Sequence, residues 1–302
     1  MVEKKTIKSR DPQKPDFLWY NLVRPKKAEL QELILRYSIP DYFLTDPLDI
    51  DERARVEEDS ASILCILRIP VKVVTESAPF ITVPLGIIIV QNVMITICAI
   101  NTTLIKQLFE DKNSKGLNNV NLFFQILRRT ALFYLQYLKD INSQTMIIEK
   151  ELQASLKNQE LIGLLNAEKS LVYFTTSLRS NEIMFNRLVK VKSISAYIEE
   201  IDFDDILIEY RQAIEMTNVY SNILSGMMDA FASVISNNLN MVMKVLTSLT
   251  VILMLPTLIA SYYGMNVPLP FQDSPHAFLI TIGFSVILTA AGVIFLIRRR
   301  FF

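Results

Sequence analysis

Glycine, cysteine, histidine and tryptophan are all scarce in this chain of 302 residues, which has seven, two, one and one of them respectively. So few glycines, with twelve prolines and long Leu/Ile/Lys/Glu/Asn runs, exclude a loop-rich or disordered protein and point to a largely helical one. Cys65 and Cys98 stand in Ile-Leu-Cys-Ile-Leu and Thr-Ile-Cys-Ala-Ile, with no Cys-x-x-Cys spacing and no nearby histidine. They read as buried, reduced core residues rather than a zinc or redox pair. An excess of charge of either sign is missing too. Lys plus Arg and Asp plus Glu are 31 each, so no net field recruits nucleic acid or another polyanion. The sequence also has no Gly-x-Ser-x-Gly, phosphate-binding loop, histidine-rich motif or Rossmann glycine pattern, so an enzyme is not expected. Acidic pairs such as Glu57-Glu58 read as solvated surface.

Charge is absent altogether from two long runs, Val245 to Tyr263 and Ala277 to Ile297. Each is close to the ~20 residues that a helix needs to cross a ~30 Å hydrocarbon core. Lys244 precedes the first run and Arg298-Arg299-Arg300 closes the second, while Gly264 to Pro275 between them has no Lys or Arg. By the positive-inside rule both ends lie in the cytoplasm and the connecting loop lies outside. The Arg triplet reads equally well as a simple stop-transfer anchor. The charged N-terminus, Met1-Val-Glu-Lys-Lys-Thr-Ile-Lys, leads into no apolar segment of the signal-peptide kind, which keeps the N-terminal domain in the cytoplasm. A multi-pass protein of the cell membrane is expected.

Upstream of the spans, residues 1–118 mix strand and helix signals and are expected to form an α/β domain. Pro25 to Tyr37 reads as a proline-initiated amphipathic helix. Ser62 to Val74 and Phe80 to Ile100 are rich in Ile and Val, with Gln91-Asn92 a turn between two strands. Residues 119–203 form a helical segment, with helices over Asn119–Leu156 and Leu164–Asn186. A stalk helix is expected over 204–263, after the acidic stretch Glu199-Glu200-Ile-Asp202-Phe-Asp204-Asp205, which suits a helix start. At 1.5 Å per residue it would run about 90 Å and continue into the first transmembrane helix at 245–263. The outer loop is 264–275, the second transmembrane helix 276–297 and the basic cytoplasmic end 298–302. The fold class is therefore an α+β domain, a stalk helix and two transmembrane helices.

Within the first span, residues recurring at three and four make a stripe: Asn240, Met243, Thr247, Thr250, Met254, Thr257, Ser261 and Gly264. Two heptad series run through it, Met243-Thr250-Thr257-Gly264 and Thr247-Met254-Ser261, and a seven-residue repeat holds one helix face against partners. Small and hydroxyl residues also let two membrane helices pack closely, which is the plainer reading. Two spans enclose no aqueous path, so a pore here requires an oligomer around an axis. Gly264, Met265 and Asn266 follow the stripe directly. They would ring the outer mouth with backbone carbonyls and an amide oxygen, ligands suited to a hard cation. Mg²⁺ sheds water reluctantly, so neutral oxygens that contact its hydrated shell fit its chemistry. Gly264 is expected to let the chain leave the helix in a conformation free of a Cβ penalty.

Tyr263-Gly264-Met265-Asn266 after a C-terminal span, then a second span and a basic end, resembles the signature of the CorA magnesium and cobalt transporter family. Asn240-Met-Val-Met243-Lys244-Val-Leu246-Thr247 resembles the same family's approach to the first span, and the close match covers roughly residues 237–266. The resemblance implies a funnel-shaped homopentamer that carries Mg²⁺ or Co²⁺ inward. Family pore positions fall on Asn240, Met243, Leu246, Met254, Thr257, Gly264 and Asn266, with Met and Leu rings as a hydrophobic gate. It also implies intracellular Mg²⁺ bound between subunits as the closing signal, for which Asp205 and Asp229 are the candidate ligands. Asp205 reads otherwise as a solvated helix-start carboxylate. The chain departs from the family in placing Pro256 one residue further after Met254, and in offering one acid, Asp273, in the outer loop. The rivals are a relative that moves Zn²⁺, Co²⁺ or Ni²⁺, and a membrane-anchored sensor or scaffold with no transport. Intact Met265 leans toward Mg²⁺, and His276 reads as an interfacial residue.

Overall fold

The computed structural model describes residues 2–7, 16–59, 62–73, 78–110, 118–154, 158–192, 194, 203–271 and 273–299. The chain divides into two compact units, Met1–Gly226 and Met227–Phe302.

The first unit is built on a six-stranded sheet. Its strands are β1 (Val2–Ile7), β2 (Phe17–Val23), β3 (Arg55–Asp59), β4 (Ser62–Lys72), β5 (Phe80–Val90) and β6 (Val93–Cys98), in the spatial order β1-β2-β6-β5-β4-β3. All neighbours are antiparallel except β2 and β6, which run parallel with Leu18 opposite Val93 and Val23 opposite Cys98. The expected turn at Gln91-Asn92 is present: Val90 pairs with Val93, and Gln91 takes a left-handed φ of 49°. Strands β4 and β5 pair along their full length, from Ser62 opposite Val90 to Lys72 opposite Phe80.

Alternate residues of these strands face opposite sides of the sheet. One set, including Leu64, Ile66, Ile88, Val90, Ile95 and Ile97, packs with Leu30, Leu33, Phe43 and Leu44. Those four belong to helices α1 (Lys27–Tyr37) and α2 (Asp41–Thr45). The other set meets helices α4 (Asn119–Ala154) and α5 (Asn158–Leu188), as where Phe80 packs on Phe174 and Tyr137 and Cys65 lies 3.6 Å from the Met184 sulfur. Burial on both faces explains why β4 to β6 are continuously apolar. The short α3 (Thr103–Glu110) lies between the sheet and α4 in sequence and brings Phe109 against Trp19.

Helix α1 starts differently from expectation. Pro25 lies ahead of the N-cap, Lys26, whose backbone N–H donates to the Glu29 carboxylate at 2.8 Å. In α5 the buried residues Leu164, Ala167, Leu171, Phe174, Leu178, Asn181, Phe185 and Leu188 recur at three and four, the spacing of one helix face. Both α4 and α5 lie on the sheet, so the boundary expected at 118 marks a change of secondary structure and not of compact unit. Of the acidic pair, Glu58 is exposed and Glu57 is half-buried, its carboxylate accepting from Arg55 Nε at 2.6 Å. Arg55 pairs in addition with Asp46 at 2.6 Å and with Glu52.

The long helix α6 spans Phe203–Tyr263, with Pro256 inside it. Asp204 and Asp205 occupy its first turn, while Glu199, Glu200 and Asp202 lie outside the described residues. Its opening turns bury Phe203, Ile206, Tyr210 and Ala213, and the Tyr210 ring packs on Phe185 at 4.6 Å. In the second unit every residue from Ala232 to Thr247 is exposed, including Leu239, Val242 and Leu246. A helix with apolar residues exposed on all sides is covered by something outside its own chain, lipid or protein. Helix α7 (Ala277–Arg298) returns beside α6; Arg300 lies outside the described residues.

Candidate ion-conducting site

Helix α6 meets α7 through one face. Ser248 and Ile259 are buried, Ile252 and Leu255 half-buried, and Leu255 lies so near Gly292 that a Cβ there would come within 2.7 Å of Leu255 Cδ1. At about 100° per residue, this face is roughly opposite the stripe of Asn240, Met243, Thr247, Thr250, Met254, Thr257 and Ser261. All seven stripe residues are exposed, with Met243 at 53% and Met254 at 65%. Leu246, at the border of the stripe, is exposed as well. The stripe is therefore not packed against α7 within this chain.

The hydroxyls on the stripe have a defined polarity. Thr250 Oγ1 donates to the Leu246 carbonyl and Thr257 Oγ1 to the Leu253 carbonyl, each at 2.8 Å. With their protons committed to the helix, the two oxygens present only lone pairs outward. Pro256 has no N–H to give Ile252, and the helix continues through it.

At its C-terminal end α6 tightens rather than unwinding. Gly264 N–H donates to the Ala260 carbonyl at 3.0 Å and Met265 N–H to Tyr262 at 3.1 Å. Gly264 does not adopt a left-handed φ, and a Cβ on it would sit 3.4 Å from the Ala260 oxygen, an ordinary contact. The chain leaves the helix at Gly264 as expected, but with no left-handed φ and no close contact for a Cβ the position does not depend on glycine for it. Left-handed backbone occurs instead at Phe271, with φ 64°. Met265 and Asn266 are exposed, as are Asp273 and His276, the latter capping α7. Sequence reading missed one contact here, in which the Tyr263 hydroxyl donates to the Pro270 carbonyl at 3.1 Å. No local pattern announces a bond between a side chain and a backbone group seven positions away.

Beside the stripe, a cleft of about 640 Å³ opens between the two helices, bounded by Pro256 and Ala260 on α6, by Gly264 just beyond its end, and by Thr281 and Ser285 on α7. The Thr281 and Ser285 hydroxyls donate to the Ala277 and Thr281 carbonyls at 2.9 Å, so this wall offers no free donor. Asp205 and Asp229 are exposed and belong to different units. Among the described residues no three His, Cys, Asp or Glu side chains gather to hold a metal ion. Within one chain the stripe residues stand in file and do not converge on a point.

A soluble α+β unit followed by two apolar helices, the first with a hydroxyl and thioether face turned away from the second, defines a membrane protein with two spans. The chain belongs to the CorA-like Mg²⁺ transporter family, whose sequence model matches residues 14–299. It is 28% identical to the cobalt/magnesium transport protein CorA of Methanocaldococcus jannaschii, over 93% of this chain and 90% of that one. It is 25% identical to the magnesium transport protein CorA of Helicobacter pylori strain 26695, over 96% of this chain and 92% of that one. Its fold is similar to the complete structure of the CorA magnesium transporter from M. jannaschii, with a TM-score of 0.85, 26% identity and coverage of 100% and 99%.

Proposed function

We propose that this chain is one subunit of a homopentameric channel that admits Mg²⁺, and Co²⁺ as a second cargo, to the cytoplasm along an axis lined by α6. The observation that carries this reading is the opposition of the two faces of α6, one packed on α7 and the other exposed and leading into Gly264-Met265-Asn266. Around an axis that stripe becomes a series of rings. A hydrated cation presents water hydrogens outward, so it needs acceptors. The back-bonded hydroxyls of Thr250 and Thr257 and the Asn266 amide oxygen supply them. Met243, Leu246 and Met254 supply apolar rings that close a pore by dewetting.

Orientation follows the basic flanks, with Lys244 and Arg298 on the cytoplasmic side. Closure by intracellular Mg²⁺ uses Asp205 and Asp229 across subunits. Carboxylates from several copies around one axis repel until a cation intervenes, so loss of internal Mg²⁺ would push the subunits apart.

The test is Mg²⁺ uptake by the purified chain in liposomes, with an indicator dye inside. Wild-type protein admits Mg²⁺ down its gradient, and Asn266→Ala, assembled as the same oligomer, does not. Undiminished flux in that variant removes Asn266 from the selective turn. A monomer or dimer in detergent removes the axial pore.

A further inference from the structure

We infer that the Tyr263 hydroxyl is the positioning group of the Gly264-Met265-Asn266 turn, holding it by fastening the returning loop to the end of α6 through the Pro270 carbonyl. The inference rests on the pore reading above. The bond is 3.1 Å long and closes the chain from Tyr263 to Pro270 into a loop with Asn266 near its middle. Two of the loop's backbone positions donate nothing and two others donate into the end of α6. Pro268 and Pro270 contribute no N–H, and the Gly264 and Met265 N–H groups are spent on α6. The backbone hydrogen bonds from Ser274 to Phe271 and from Ala277 to Ser274 belong to the approach to α7.

The geometry around the phenol suits this task. Tyr263 borders a cavity of about 260 Å³ whose wall includes Pro270, Phe271, Ile280 and Phe284, so its ring stands between both helices and the loop. Directly after the accepting carbonyl, Phe271 turns with φ 64°, an uncommon conformation for an aromatic residue. Proline on one side and a left-handed turn on the other aim the Pro270 carbonyl back at α6. The phenol touches no cargo. It acts through the backbone that carries Asn266, and without the bond the turn would sample positions in which its oxygens no longer match a hydrated cation.

Tyr263→Phe keeps the ring and removes the donor. A hydrogen bond of ordinary net strength corresponds to about a two- to tenfold change in an equilibrium constant. In liposomes, Tyr263→Phe is expected to raise the half-saturating Mg²⁺ concentration by about that factor and to lower the ratio of Mg²⁺ to Na⁺ flux, with assembly and thermal stability unchanged. Tyr263→Leu, which also loses the ring, is expected to lower stability as well. A spin label on Val267→Cys reports loop mobility without reference to transport, and mobility should rise in Tyr263→Phe. Unchanged mobility overturns the tether. Raised mobility with unchanged half-saturation and selectivity overturns its positioning role. Absence of Mg²⁺ uptake by the wild type would instead overturn the pore reading, with the tether still judged by the label.

Discussion

Asn181 of α5 pairs with Arg68 of β4 as a neighbouring strand would: its Oδ1 accepts from the Arg68 N–H at 2.9 Å and its Nδ2 donates to the Arg68 carbonyl at 2.8 Å. Strand β3 pairs with β4 only as far as Arg55 opposite Ile66, so the ladder ends before Arg68. A side chain from the covering helix takes over where the strand stops, and it is fully buried. The Arg68 guanidinium donates to the Glu52 and Thr82 carbonyls at 2.9 Å, tying the preceding loop to β5. Burial lowers its pKa, and the surrounding acceptors keep it in place.

Asn181→Leu fills the same space but leaves the Arg68 N–H without an acceptor. A buried orphan donor costs about 1–3 kcal/mol. Thermal unfolding of the full chain in detergent should show a midpoint lower by several degrees.

Gly86 in β5 is required by packing. A Cβ there would collide with Pro47 Cγ and approach Ile97 Cγ2 to 2.7 Å. Pro47 sits in the short 3-10 turn Asp46–Leu48, which lies directly on the sheet. Gly86→Ala is expected to destabilise the soluble unit by about 1–3 kcal/mol, the usual cost of overpacking. A chemical-denaturation midpoint equal to wild type would show that the turn shifts freely.

Both thiols are shielded. Burial raises the Cys98 pKa from 9.0 to about 11, against smaller opposing effects of the Ile100 and Ala99 backbone, and it raises that of Cys65 further. The thiolate is the reactive form, so iodoacetamide at pH 8.5 should label neither residue in the native chain and both after unfolding, as read by mass spectrometry. The sign of the pH effect follows. The unfolded chain ionises Cys98 near 9 and the native chain near 11, so this contribution to stability is complete below pH 9 and is lost as pH rises through 11.

At the α6–α7 contact, Leu255 Cδ1 is the flexible end of a side chain, so Gly292→Ala should be absorbed by a rotamer change. Gly292→Ile adds branched bulk that no rotamer of Leu255 can clear. The expected result is a loss of about 1–3 kcal/mol and less assembled oligomer on size-exclusion chromatography. Equal elution of both variants would mean that the two helices separate without cost.

Much of this architecture is legible in local sequence. The uncharged runs place both apolar helices, and α6 ends at Tyr263 as its run does. The apolar stretches of β4, β5 and β6, and the turn at Gln91, are also readable, because strands buried on both faces need no polar alternation. Strand β1, Val-Glu-Lys-Lys-Thr-Ile, is not readable: three of its six residues are charged, with Lys4 exposed and Glu3 and Lys5 half-buried against Asn21 and the Phe109 carbonyl, and only pairing with β2 makes it a strand. Strand β2 owes its place to a parallel partner some seventy residues away, and α3 is too short for its periodicity to stand out.

The stripe on α6 and the turn after it are determined by sequence alone, because hydrophobicity and a seven-residue period are properties of neighbours along the chain. Which face of α6 turns to α7, which carbonyl receives the Tyr263 hydroxyl and which side chain completes β4 at Arg68 were decided only in three dimensions. Each depends on groups that no helix or strand period brings together, whether seven positions apart as in Tyr263 and Pro270 or 113 apart as in Arg68 and Asn181.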